Sequence, residues 1–212
     1  MIRTLCLVAA LMSPVALSAQ DLTPPQAGTF KIDLGHTRLL FRVSHLGFSN
    51  YTAFFRDIDA KLVFDPDHPE TMQVSATIQT ASIETMYPDA SLDFNAVLAG
   101  ADLLDAAQFP QMTFTSTAVA LTGADTADVT GDLTLHGVTR PITLAVTFNG
   151  GYGAFAMDPS GARIGFSATG KFNRSDFGIG FGVPAPGTTF GVGDEVQIII
   201  ETEFTNPDAP KP

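Results

Sequence analysis

The feature that most constrains this chain is a two-residue period of hydrophobicity that recurs in eight separate stretches. Leu39, Phe41 and Val43 alternate with Arg42 and Ser44, and Phe54, Ile58, Ala60, Leu62 and Phe64 oppose Asp57, Asp59 and Lys61. The pattern continues through Met72–Ile78, Met112–Phe114, Val129–Leu135, Ile142–Phe148, Ile164–Phe172 and Val196–Phe204. Alternation of this kind puts apolar side chains on one face of a strand and polar ones on the other. Short breaker clusters separate the stretches, among them Asp65-Pro66-Asp67-His68-Pro69 and His136–Pro141, so the strands run antiparallel in a meander. Eight strands, each apolar on one face, close into a barrel that has no exposed edges. The predicted fold is therefore all-β, an eight-stranded antiparallel barrel. It carries one short α-helical segment between Asp89 and Asp105, with Asp89 or Ser91 as N-cap and Gly100 as the C-terminal stop.

Residues 1–19 read as a cleavable signal peptide, with Arg3 in a basic start, an apolar run from Leu5 to Met12 and small residues up to Ala19. Cleavage removes Cys6, the single cysteine, so the mature protein is expected to hold neither a disulfide nor a thiolate metal site. Residues 20–206 form the barrel domain and 207–212 a Pro-rich disordered tail. No stretch after the leader is long and apolar enough for a transmembrane helix. An outer-membrane barrel would share the strand period, but it needs aromatic girdles, and this chain has no Trp, three Tyr, and polar outward faces. With 22 acidic residues against 11 basic ones and a formal charge of −11, it offers no basic surface to nucleic acid.

Several segments resemble one family. They are Thr29-Phe30-Lys31-Ile32-Asp33 with His36-Thr37, Phe41, Val43 and His45–Ser49; Phe109-Pro110 with Phe114 and Ser116; Gly131–Pro141; Asn173–Gly178; and Val192–Val196. In that order, over almost the whole mature chain, they are similar to the YceI-like family of periplasmic proteins. The resemblance implies a periplasmic location and a lipocalin-like eight-stranded barrel that holds a long isoprenoid chain, such as a polyprenyl quinone or polyprenyl phosphate. The chain departs from the family pattern at Leu92–Ala99 and Leu103-Leu104, where relatives often carry charged or His residues.

On strand parity alone, the candidate lining is Phe41, Val43, Ile58, Leu62, Val74, Ile78, Phe114, Leu133, Leu135, Leu144, Val146, Phe166, Ala168, Ile198 and Ile200. Arg56 falls on the same face by parity, and an inward Arg either reaches the rim or answers an anionic group. Burial stabilises an alkyl chain by about 0.8 kcal/mol per methylene, so such a tube suits a long lipid. The same side chains can instead fill the barrel as an ordinary core. Small residues on the inner faces, Ala60, Ala76, Gly131, Ala168 and Gly170, are expected to leave room. Arg42, Arg56 and His45 are candidate donors to a quinone oxygen. Arg174, Ser175 and Asp176 read as a turn network in which the Asp accepts backbone hydrogens, and Asp33 with His36 as a fixture at the start of the first strand.

Catalytic signals are thin. There is no nucleophile elbow, phosphate loop or dinucleotide fingerprint. Four dispersed His without Cys predict no metal. The expected protein is a non-enzymatic, exported carrier of an isoprenoid or other long-chain lipid, with no other cofactor and with room for a homodimer. The alternatives are an enzyme acting on an isoprenoid lipid and a stress-protective domain with a filled barrel.

Overall fold

A computed structural model describes residues 22–211; the signal peptide expected over 1–19 lies outside them. Ten strands form one antiparallel sheet. In chain order they are β1 (Gly28–His45), β2 (Ser49–Phe55), β3 (Ile58–Phe64), β4 (Gln73–Gln79), β5 (Ile83–Glu84), β6 (Gln111–Leu121), β7 (Thr126–Leu135), β8 (Val138–Tyr152), β9 (Ala162–Asn173) and β10 (Val192–Asn206). Strand β10 pairs with both β9 and β1, which closes the sheet into a ring. The ring β1-β3-β4-β6-β7-β8-β9-β10 is an eight-stranded barrel, and β2 and β5 are the extra strands.

Those two extensions explain the count. Strand β1 pairs with β3 through its first residues, Gly28–Lys31, and with β2 from Leu39 onward, so β2 and β3 are two halves of one bent strand. Strands β4 and β5 follow the same bend, pairing with β3 and β2 respectively.

The bend corrects one parity assignment. Ala53 and Phe55 are buried on β2, whereas Ile58, Ala60, Leu62 and Phe64 are buried on β3. Two residues outside the ladder, Arg56 and Asp57, reset the alternation between them. Arg56 therefore does not face the interior: its side chain is 66% exposed and pairs with Glu84. The Arg56 backbone N–H is met by the Ser82 carbonyl at 3.1 Å, which fixes the bend.

Turn geometry sets register elsewhere. His136 and Gly137 both have positive φ, 52° and 74°, and connect the paired residues Leu135 and Val138 in a two-residue hairpin. This is the mirror-image turn whose twist matches the strands, and glycine enters it without steric penalty.

The helix is shorter than predicted. It spans α1 (Phe94–Ala99), and its N-cap is Asp93, whose carboxylate accepts the Ala96 N–H at 3.0 Å. Asp89 instead accepts the Ser91 N–H in a separate turn, while Gly100 is the C-cap as expected. After β10, the segment expected to be a disordered tail makes a turn in which the Ala209 N–H reaches the Asn206 carbonyl, and Ala209 packs against the barrel end.

The strands define two ends. One end gathers the β3–β4, β6–β7 and β8–β9 connections and the chain after Asn206; the other gathers the β1–β2 hairpin, α1 and residues 174–191. We call these the hairpin end and the loop end.

Candidate functional site

Side chains do not fill the barrel. A cavity of about 880 Å³ runs along its axis, far larger than the voids of a close-packed core. Its wall includes Phe41, Val43, Ile58, Leu62, Val74, Ile78, Phe114, Leu133, Leu135, Leu144, Val146, Phe166, Ala168, Ile198 and Ile200, fifteen of the sixteen residues proposed from sequence. Arg56 is the exception, for the reason given above. Among the proposed polar donors, His45 reaches the cavity wall, whereas Arg42 is exposed on β1.

Of the five small inner residues, the two glycines do not make the space. A Cβ on Gly131 would lie 2.4 Å from the Phe114 ring, and one on Gly170 would lie 2.6 Å from Leu144 Cδ2. Both glycines admit a neighbouring side chain rather than a ligand. Ala60, Ala76 and Ala168, in contrast, are part of the cavity wall.

Buried polar atoms of the wall are consumed by the protein. Thr37 Oγ1 and Thr202 Oγ1 share a hydrogen bond of 2.9 Å, and Ser116 Oγ accepts the Val74 N–H at 2.9 Å. Among the described residues, every buried side-chain polar atom has a partner. The tube thus presents mainly hydrocarbon, which an alkyl chain satisfies and a polar metabolite does not. Sequence parity could have found Thr37 and Thr202, since they continue the inward series of Leu39 and Ile200.

Toward the hairpin end the wall becomes aromatic. Phe30 meets Phe64 edge-on at 5.6 Å, Phe64 meets Phe148 at 6.0 Å, Phe148 meets Phe166 at 5.3 Å, and Phe166 meets Phe204 at 6.3 Å. Outside this cluster an ionic network joins three strands. Arg163 on β9 bonds Asp33 of β1 at 2.7 Å, Glu203 of β10, and Asp158 at 3.4 Å. Asp158 also accepts from Tyr152 Oη at 2.8 Å. Hydrogen bonds from Arg163 and then His36 hold the Asp33 carboxyl at a pKa of about 2. The Ser160 hydroxyl and Tyr152 hold Asp158 well below the usual carboxylate range. Asp33 also takes the Gly35 N–H at 2.9 Å, so with His36 it shapes a bulge inside β1 rather than the strand's start. Asp33, His36 and Glu203 offer ligand atoms within 4.8 Å of one another. Arg163 Nη1 already bonds both carboxylates there, so the cation of this cluster is the guanidinium.

At the loop end, Arg174 is 5% exposed and lies on the cavity wall. Its donors all go to backbone: Nε to the Gly193 carbonyl at 2.9 Å, Nη1 to Ile179 at 3.2 Å and Phe181 at 2.8 Å, and Nη2 to Val192 at 2.8 Å. Burial lowers its pKa, with the charge of Asp194 opposing. The neighbouring turn network exists, but its acid is Asp194, which accepts the Ser175 N–H at 2.9 Å and the Ser175 hydroxyl at 2.7 Å; Asp176 is not that acceptor.

Fold and site together define a lipocalin-like β-barrel around an apolar tube. The YceI-like domain model matches residues 30–204, nearly the whole described barrel. The chain belongs to the YceI-like family. It is 42% identical over 166 residues to a UPF0312 protein of Pseudomonas putida strain W619, covering 77% of this chain and 80% of that one. Among solved structures, Burkholderia cenocepacia BcnA superposes with a TM-score of 0.66 at 29% identity, over 81% of this chain and 98% of that one. A polyisoprenoid binding domain from Saccharophagus degradans shares the fold, with a TM-score of 0.58 at 16% identity, over 85% of this chain and 98% of its own.

Proposed function

We propose that this protein is exported to the periplasm and holds an isoprenoid lipid, of the polyprenyl quinone or polyprenyl phosphate class, inside the barrel for carriage or storage. The observation that carries the reading is the cavity of about 880 Å³ with an almost wholly hydrocarbon wall. Its volume lies in the upper part of the range of ligand pockets, about 300–1,000 Å³. Retention then grows with chain length, at about 0.8 kcal/mol per buried methylene. The polyisoprenoid binding domain with the same fold supports this ligand class. A holder fits better than an enzyme, because among the described residues the wall sets no carboxylate beside a base: Asp125 lies at the hairpin end, whereas His45, Tyr51, Tyr87 and Arg174 lie at the loop end. A filled, purely structural barrel fits worst, given the cavity.

Native mass spectrometry of protein purified from its own host, followed by solvent extraction, tests the reading. Release of a stoichiometric isoprenoid is expected. Lipid-free protein that also refuses added polyprenyl quinone would overturn it. Ala168→Phe, which places a ring in the tube, is expected to lower quinone uptake at least tenfold while the barrel still melts cooperatively.

A further inference from the structure

The loop end carries a surface that the cargo alone does not explain. Residues 177–193 contain no charged side chain, and neither do residues 46–55, in a chain with 22 acidic residues. From these two neutral segments project Phe48, Phe181 and Phe190, which are 88%, 62% and 85% exposed. The segments touch: the Leu46 N–H donates to the Gly191 carbonyl at 2.8 Å, and a Cβ on Gly47 would lie 3.1 Å from Thr189 Cβ. Met86, also exposed, precedes Tyr87 at the same end, and Tyr87 lines the cavity together with His45 and Tyr51. Exposed aromatics gathered around the end of a ligand tube mark a contact surface.

These phenylalanines are held outward. An irregular loop that is free to move would fold its aromatic side chains back onto the barrel. Here the buried Arg174 guanidinium binds carbonyls on both arms of the loop, Ile179 and Phe181 on one and Val192 and Gly193 on the other. The Val192 N–H closes the loop onto the Gly182 carbonyl at 2.8 Å. The hairpin end differs, since its connections carry Asp65, Asp67, Glu70 and Asp125.

We propose that the loop end docks on the surface of a lipid bilayer with zwitterionic head groups, where Phe48, Phe181 and Phe190 enter the interface and the tube faces the acyl region. Cargo then passes between membrane and barrel without crossing water. The proposal rests on the lipid-cargo reading for its purpose, though not for its physics. A bilayer fits this surface better than a protein partner does, because the two segments offer bare aromatic tips with no charged side chain among them to fix a partner's register. A zwitterionic surface fits better than an anionic one, because of the net charge of −11 and because Asp89, Asp93 and Asp102 flank α1 at the same end.

The test is flotation of the purified protein with unilamellar vesicles of phosphatidylcholine and phosphatidylethanolamine, and with vesicles containing phosphatidylglycerol. The protein should float with the zwitterionic vesicles and bind phosphatidylglycerol vesicles less, a deficit that closes as salt is raised. The double variant Phe181→Ser/Phe190→Ser should lower partitioning at least tenfold at unchanged melting temperature. Leu121→Ser, which removes an exposed apolar side chain at the hairpin end, should leave partitioning unchanged. Absence of flotation with zwitterionic vesicles, or an equal loss in Leu121→Ser, would overturn the proposal. So would a dimer in sedimentation velocity that the double variant splits, which would make this face a contact between copies. Lipid extraction separates the two readings: a double variant that still carries cargo has lost docking alone, and a lipid-free parent that floats would sink the cargo reading but not the docking face.

Discussion

Each end of the barrel is tied down by one arginine, and the two are satisfied in opposite ways. Arg163 is answered by the carboxylates of Asp33, Glu203 and Asp158, where β9 and β10 run on in register and Asp33, paired with Glu203, borders the bulge of β1. There the backbone is already paired within the sheet, and the arginine adds a tie between side chains. Arg174 binds four backbone carbonyls, Ile179 and Phe181 in an irregular loop and Val192 and Gly193 where that loop enters β10. Buried carbonyls need donors, and one guanidinium supplies them where a ladder does not. The lesson is that the same residue type joins finished elements at one end and substitutes for a missing element at the other.

The sharpest way to break this comparison is Arg174→Met. It strands four carbonyls at once and is expected to destabilise the protein by about 3–5 kcal/mol, measured by urea unfolding. A loss below about 1 kcal/mol would mean that the loop holds itself. Arg163→Met should cost less, about 1–3 kcal/mol at pH 7, because its partners remain partly hydrated.

Acid should then separate the ends. Asp33 has a folded pKa of about 2, below its ordinary value of about 3.9 when unfolded. A depressed carboxylate contributes stability that is complete above the unfolded pKa and is lost as pH falls through the folded one. Between pH 4 and pH 2 the gap between the parent and Arg163→Met should therefore shrink, with hydrogen-exchange protection falling in 158–163 but not in 179–193. Equal loss at both ends would show that neutral carbonyls are not the whole of Arg174's support. The smallest effects are expected away from both ends: Lys61→Ala and Glu201→Ala, on outward faces, should change stability by no more than about 0.5 kcal/mol.

Much of the barrel was legible because alternation is local. Phe41 and Ile198 face inward for the same reason that Lys61 and Glu201 face out, and no long-range information is needed to see it. Failures came where the local signal was degenerate. Phe54 and Phe55 are both apolar, so nothing in that pair announces the parity change at Arg56 and Asp57. Asp89, Ser91 and Asp93 are all acceptable caps, and the choice of Asp93 depends on where the apolar face of α1 must land. The ionic network was hidden for a different reason. Asp33 and His36 are neighbours in sequence, but Arg163 and Glu203 join them only through the register of β1 on β10 and β10 on β9. Arg174 stood out as part of a polar motif, yet its partners are carbonyls, which carry no side-chain signature.

Closure of the ring has a consequence for the order of events as the chain is made. The first long strand, β1, finds its partner only in the last, so that Thr37 meets Thr202 across 165 positions. Until β10 arrives, β1 presents an open edge, and the closing pairings must bear the entropy of joining nearly the full length of chain. A chain delivered N-terminus first thus cannot complete its container until delivery is almost finished. Any hydrocarbon interior formed before then lies open along one seam, which makes the final moments of folding a natural time for a lipid to be enclosed.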